Sequence, residues 1–191
     1  MGRRITIPNL HKALNVSCDA SQSLYPTLAR QKTLSSRADA LDSMKVEKYN
    51  LKSETGLTRF EFISEGPRGA IRKLIEFQAT TDPGLFNLAF GDKDPLTGSI
   101  DDLSVSDNGD TEKVLATVIA ALYAFCDKYP DAYIYASGST KARTRLYRMG
   151  ITKYYDQMRA DFYLYGQIGD DFPEFELGVD YDGFLAQRKF D

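Results

Sequence analysis

The sequence predicts one α+β domain over residues 44–191, an antiparallel or mixed sheet with two main helices in the order ββββ-α-β-α-β plus a short C-terminal element. Three observations predict it. Residues 58–65, Thr-Arg-Phe-Glu-Phe-Ile-Ser-Glu, alternate apolar and polar side chains, the period of a half-buried strand. Between Asp110 and Tyr129 the apolar residues Leu115, Val118, Ile119, Leu122, Phe125 and Cys126 recur at spacings of three and four, which places them on one helical face. Short alternating runs then return at Ala132–Ser137 and Asp161–Gly166, on either side of a second helical pattern.

In chain order, Gly66-Pro-Arg-Gly69 supplies turn chemistry between the first strand and a second at Ala70–Phe77, which makes a β-hairpin. A third strand, Gly84–Phe90, passes through Gly91-Asp-Lys-Asp-Pro-Leu-Thr-Gly98 to a fourth at Ser99–Ser106. Strands two to four read as an antiparallel meander. The loop gathers Asp92, Asp94, Asp101 and Asp102, but taking Asp92 as position 1 of a calcium loop puts Leu96 at 5, Thr97 at 6 and Leu103 at 12. Turn formation by Asp, Pro and Gly accounts for the same residues, and no metal is expected there.

The long helix has Asp110 and Glu112 in its first turn, where the helix dipole favours negative charge, and Lys128 near its end; Pro130 stops it. Tyr123 and Phe125 read as core. After the strand at Ala132–Ser137, Gly138 breaks the pattern and Ser139 or Thr140 can cap the second helix. Residues Glu174–Lys189 are expected to add a strand or a short helix. Residues 1–43 show no sustained period and are followed by Met44; they read as a disordered tail or a non-native N-terminal extension.

Composition excludes several function classes. Among 191 residues there is one histidine, His11, and it lies outside the expected domain, so Ser-His-Asp, Cys-His and His-based metal chemistry are not expected within it. The two cysteines, Cys18 and Cys126, have no CxxC spacing, and Cys126 reads as a small core residue. No apolar run reaches the roughly 20 residues of a membrane-spanning helix, so the expected location is the cytoplasm, with no membrane partner. Net charge is −3; residues 1–43 carry six Lys/Arg against three Asp/Glu, leaving 18 against 24 for the rest. An acidic domain does not hold nucleic acid by its general field, so any anion must be held by a local cluster.

That cluster lies in Gly138-Ser-Thr-Lys-Ala-Arg-Thr-Arg-Leu-Tyr-Arg148. A strand ending in Gly-Ser-Thr and opening a helix offers backbone N–H groups and two hydroxyls at the positive end of the dipole, a seat for phosphate or carboxylate. At about 100° per residue, Lys141, Arg145 and Arg148 fall on one side, and Leu146, Tyr147, Gly150, Ile151, Tyr154 and Met158 define the apolar side. Arg143 falls with the apolar set. Its guanidinium either pairs internally with a carboxylate of the Asp101-Asp102 region or points into a cleft at the helix start. The candidate ligand-binding residues are therefore Ser139, Thr140, Arg143, Arg145 and Arg148, for an anionic ligand or an acidic protein partner. Lys141, Arg145 and Arg148 also read as a solvated face, and the tyrosines 133, 135, 147, 154, 155, 163 and 165 as half-buried sheet and helix residues.

From Met44 to Lys189 the chain resembles a bacterial family of small uncharacterised proteins, through Phe62-Ile-Ser-Glu-Gly-Pro, Asn87-Leu-Ala-Phe-Gly-Asp, Asn108-Gly-Asp and Gly-Ser-Thr-Lys-Ala-Arg-Thr-Arg-Leu-Tyr-Arg. The family implies no activity. The second half, in which Leu146-Tyr-Arg-Met-Gly-Ile sits on the second helix, is similar in architecture to the GNAT acetyltransferase superfamily. That resemblance implies acetyl-coenzyme A as cofactor, Tyr147 as general acid toward the departing thiolate, and the first turn of the Asp110 helix facing the pyrophosphate. The chain departs from the superfamily's glycine-rich pyrophosphate loop: Ser106-Asp-Asn-Gly-Asp-Thr-Glu holds one glycine and three acids. Each carboxylate about 4 Å from a phosphate charge opposes it by roughly 4 kcal/mol at an effective dielectric near 20. Three functions follow as expectations: an anion-binding module, a divergent acyltransferase of GNAT type, or a toxin-antitoxin or defence component acting on RNA or a protein partner.

Overall fold

The computed structural model describes residues 47–101 and 106–189, together with the backbone of a two-residue strand, β1 (Arg4–Ile5). Apart from that strand, the reading of residues 1–43 as a tail or extension, with His11 and Cys18, lies outside the described residues.

The described residues form β2 (Lys52–Ser53), β3 (Arg59–Gly66), β4 (Gly69–Ala79), β5 (Leu85–Lys93), β6 (Ile100–Asp101), α1 (Thr111–Lys128), β7 (Tyr133–Ala136), α2 (Lys141–Lys153), α3 (Tyr155–Asp161), β8 (Phe162–Gln167), β9 (Phe172–Pro173) and β10 (Gly183–Arg188). This is an α+β fold built on one open, mixed sheet in the order β2-β3-β4-β5-β7-β10-β8, with β6 pairing off β5; β1 pairs antiparallel with β9. All pairings in the large sheet are antiparallel except β5 with β7, which run parallel because α1 carries the chain between them.

The expected hairpin and meander are present, and Gly69, with φ 90°, takes the left-handed conformation its tight turn requires. Of the expected fourth strand, Ile100–Asp101 pairs with Lys93 and Asp92, and residues 102–105 lie outside the described residues. Residues Glu174–Lys189 supply the expected strand as β10, and β9 lies just before them. The second helical pattern breaks at Tyr154, whose φ of −108° and ψ of 23° are not helical, so a third helix, α3, follows α2.

Both long helices share one face of the sheet. There Phe60, Phe62, Ile75, Phe77, Phe86, Leu88, Ile134, Leu164 and Phe184 pack against α1, with Tyr147, Tyr154 and Met158 closing the layer. Phe125, fully buried, stacks on Phe77 at 4.1 Å between centroids and meets Phe86 edge-on at 5.0 Å. On the opposite face Leu85, Tyr135, Tyr165, Phe172 and Leu185 form a second cluster. Strands β7, β8 and β10 and the start of β5 are thus covered on both faces, which is why their sequences run largely apolar while β3 alternates. Cys126 is buried in the main core, and desolvation pushes its thiol up to about 12.

The start of α1 is tied to the β3–β4 hairpin. Asp110, just ahead of the first turn rather than in it, accepts hydrogen bonds from the Tyr49 hydroxyl at 2.7 Å and the Ser64 hydroxyl at 2.6 Å. Buried Asn108 donates to Ser64 Oγ and the Gly69 carbonyl and accepts the Arg68 amide. A Cβ on Gly66 would lie 1.9 Å from the Asn108 carbonyl oxygen, so only glycine admits this approach.

Candidate functional site

The sheet opens where its parallel pair parts. Leu85, Phe86 and Asn87 lie opposite Tyr133, Ile134 and Tyr135, but β7 ends at Ala136 while β5 continues to Lys93. Beyond Asn87, side chains of α2 take the place of a strand. The Tyr147 hydroxyl donates to the Leu88 carbonyl at 3.1 Å, and Arg143, one helical turn earlier, donates from Nη1 to the Phe90 carbonyl at 3.4 Å. Arg143 Nη2 donates to the Asp101 carbonyl on β6 at 3.2 Å. The i, i+4 spacing of Arg143 and Tyr147 thus matches alternate carbonyls along β5, since both periodicities place two such groups about 6 Å apart.

Gly138 and Thr140 seat the helix against this opening. Thr140 is the N-cap, its hydroxyl accepting the Arg143 N–H at 3.3 Å, and the Gly138 N–H donates to Thr144 Oγ1 at 3.1 Å. A Cβ on Gly138 would meet Arg143 Cβ and the Thr144 nitrogen at 2.4 Å, so β7 turns into α2 without room for any other residue.

Two clefts flank this helix start. The inner cleft, of about 160 Å³, lies between β5 and α2 and is walled by Lys73, Asp92, Ser106, Ser137, Ser139 and Arg143 on its polar side and by Ala89, Phe90, Leu146 and Tyr147 on its apolar side. Lys73 and Asp92 are cross-strand neighbours on the helix-bearing face, in phase with Ile75 and Phe90. The Lys73 ammonium, buried to 7 % exposure, donates to both Asp92 Oδ1 and Ser106 Oγ, and Ser106 Oγ donates to the same carboxylate oxygen at 2.9 Å. The outer cleft, of about 550 Å³, is lined by Ser139, Thr140, Lys141, Arg145 and Arg148 together with Asp180 and Asp182.

The six residues singled out from sequence therefore do not form one site. Arg143 and Tyr147 face the inner cleft, Thr140, Arg145 and Arg148 the outer, and Ser139 lines both. Arg148 forms an ion pair with Asp180 and donates to the Val179 carbonyl at 3.4 Å; Arg145 is solvent-exposed. The first turn of α1, which the acyltransferase resemblance brings to a pyrophosphate, lines neither cleft. Sequence reading passed over Lys73, and Asp92 except as a calcium-loop candidate, together with Ser106 and Ser137. The signal for the first two was present: charged residues in the apolar phase of two strands, Lys73 with Ile75 and Phe77, Asp92 with Leu88 and Phe90.

Within the acid-rich loop, the Asp94 carboxylate accepts the N–H groups of Leu96 and Thr97 at 2.7 and 3.0 Å, which hold it below the usual carboxylate range and mark it as a turn former. Among the described residues no cluster of His, Cys, Asp and Glu suits a metal ion, and no helix is long and apolar enough to cross a membrane.

A family model described as a family of unknown function (DUF6934) matches residues 45–189. No curated protein and no solved structure matches the chain.

Proposed function

We propose that this chain, which belongs to the family of unknown function DUF6934, binds a small anionic ligand, a carboxylate or a phosphate, in the inner cleft. One observation carries the reading: Lys73 and Arg143 line, together with Ser106 and Ser139, a cleft of about 160 Å³ where the parallel strands part. Crevices beyond the carboxyl ends of parallel strands collect ligands because loops and helix starts bring donors there without interrupting a ladder. With Asp92 as the carboxylate on its wall, the cleft lining carries two cations and one anion. The start of α2 adds to the positive potential. The outer cleft is the weaker candidate, because Asp180 neutralises Arg148 and Asp182 stands beside it.

Chemical-shift titration of the full chain with inorganic phosphate and with acetate tests this. The wild type is expected to saturate, and Arg143→Ala to weaken binding by ten- to a hundredfold, the value of a hydrogen bond from a charged donor of about 1.5–3 kcal/mol. Absence of saturation in the wild type, or an unchanged affinity in a folded Arg143→Ala, removes the reading.

The parting of β5 from β7, with Tyr147 at the opening, is the observation in favour of a second reading, the GNAT-type acyltransferase. Its cofactor fits poorly: the Asp110 carboxylate at the N-cap of α1, with Glu112 in the turn behind it, opposes a pyrophosphate at that helix start. The Tyr147 hydroxyl is also committed to the Leu88 carbonyl. Calorimetry with acetyl-coenzyme A decides it, since saturable heat, and turnover lost in Tyr147→Phe, are both required.

A further inference from the structure

Behind the apolar wall of the inner cleft lies a cavity of about 60 Å³ between the sheet, α1 and α2, lined almost wholly by aliphatic and aromatic side chains, among them Leu115, Val118, Ala136 and Ile151. The cleft and the cavity share Phe90 and Tyr147, whose rings meet edge-to-face at 5.1 Å between centroids. The Tyr147 hydroxyl is turned to the Leu88 carbonyl, and Gly150 presents no side chain to the space. A void with such a lining stays dry and takes apolar atoms.

We infer that the ligand of the inner cleft is a monocarboxylate with a short aliphatic tail, its head at Lys73 and Arg143 and its carbons running past Phe90 and Tyr147 into the cavity. This rests on the proposed anion site and adds the class of molecule it selects. An anion bound at the polar wall has solvent on one side and these two rings on the other. A tail directed at solvent gains nothing, whereas one directed at the rings gains burial with each carbon until the cavity is full. By proportion to a cavity of about 150 Å³ that holds benzene, the space accepts about two or three carbons. Each buried methylene strengthens binding about fourfold.

The test is a titration of the full chain, followed by NMR, with formate, acetate, propionate, butyrate and hexanoate, and with inorganic phosphate as the tailless control. Affinity is expected to rise about fourfold per carbon from formate to butyrate and then to level off. Ala136→Val adds two carbons to the cavity wall and should abolish the rise while formate and phosphate bind as before. If that variant fails to fold, Gly150→Ala narrows the same space, its added carbon lying 3.4 Å from Leu115 Cδ2. Equal affinities along the series overturn the inference and leave the anion site standing. A rise that persists in the cavity-filled variant also overturns it, because the tail is then elsewhere. Failure of formate and phosphate alike to bind overturns both.

Discussion

Replacing Lys73 and Asp92 singly and together measures whether the ionic pair at the cleft wall is a coupled unit. The two side chains retain 9 % and 17 % of their exposure, so each charge is mostly withdrawn from water and depends on its partner. Lys73→Met leaves the Asp92 carboxylate with the Ser106 hydroxyl at 2.9 Å, and Asp92→Leu leaves an ammonium with the same hydroxyl. Breaking a fully buried pair costs about 3–5 kcal/mol; with the residual exposure here, each single change should cost about 2.5 kcal/mol. The double variant, with two apolar side chains of similar volume, should be close to neutral, a coupling of about 5 kcal/mol. The chain has no tryptophan, so urea unfolding is best followed by far-ultraviolet circular dichroism. At a slope of about 2 kcal/mol per molar, each single variant should lower the midpoint by about 1 M and the double variant should leave it nearly unchanged. A double variant that loses about 5 kcal/mol, the simple sum, would show that the two charges act independently and that the wall is not the unit described.

The same pair sets the charge of the cleft, so Asp92→Asn should tighten phosphate binding by about tenfold, and a titration showing weaker binding would contradict the placement of Lys73. Thr140→Ala removes the cap of α2 and should cost about 1 kcal/mol in urea unfolding, with Thr140→Ser restoring most of it. Gly138→Ala forces a carbon to within 2.4 Å of the α2 backbone and should cost about 1–3 kcal/mol, together with anion affinity, because Arg143 moves with the helix start. Burial raises the Cys126 thiol to about 12 and also raises Tyr123, Tyr135 and Tyr154. These groups stay protonated in the folded chain while the unfolded chain ionises, so their contribution to stability should be constant up to about pH 8.5 and be lost progressively toward pH 12. Cys126→Ala should blunt that fall, and alkylation of Cys126 at pH 8, read by peptide mapping, should await unfolding.

Elements whose determinants are local were legible from sequence. The α1 stripe, the Gly66–Gly69 turn and the Thr140 cap each rest on residues within one or two turns of one another, and they stand where the patterns put them. What could not be read is set by distant partners. Nothing in Gly183–Arg188 says that it inserts between β7 and β8, and the two-residue β2 and β6 owe their pairing to β3 and β5. The break at Tyr154 follows from packing, since Tyr154 and Met158 share the core with Tyr147. Helical angle alone singles out Arg143 as the odd cation on an apolar face. Its setting, two main-chain carbonyls on strands 42 and 53 residues away, belongs to tertiary structure alone. Arg145 and Arg148, equally basic in sequence, face the outer cleft because helical angle sends them to the other side of α2.

The position of β10 bears on how the chain is made. As the last of the described strands to leave a ribosome, it is flanked by β7 on one side and β8 on the other, so until residue 188 emerges both neighbours present raw edges to the surroundings. A nascent polypeptide stalled before residue 183 has the sheet from β2 to β7 on one side, β8 alone on the other and no seam between them, which makes it a target for chaperones and proteases rather than a slightly frayed product. Quality control of this fold is therefore a check on whether residues 183–188 have been delivered.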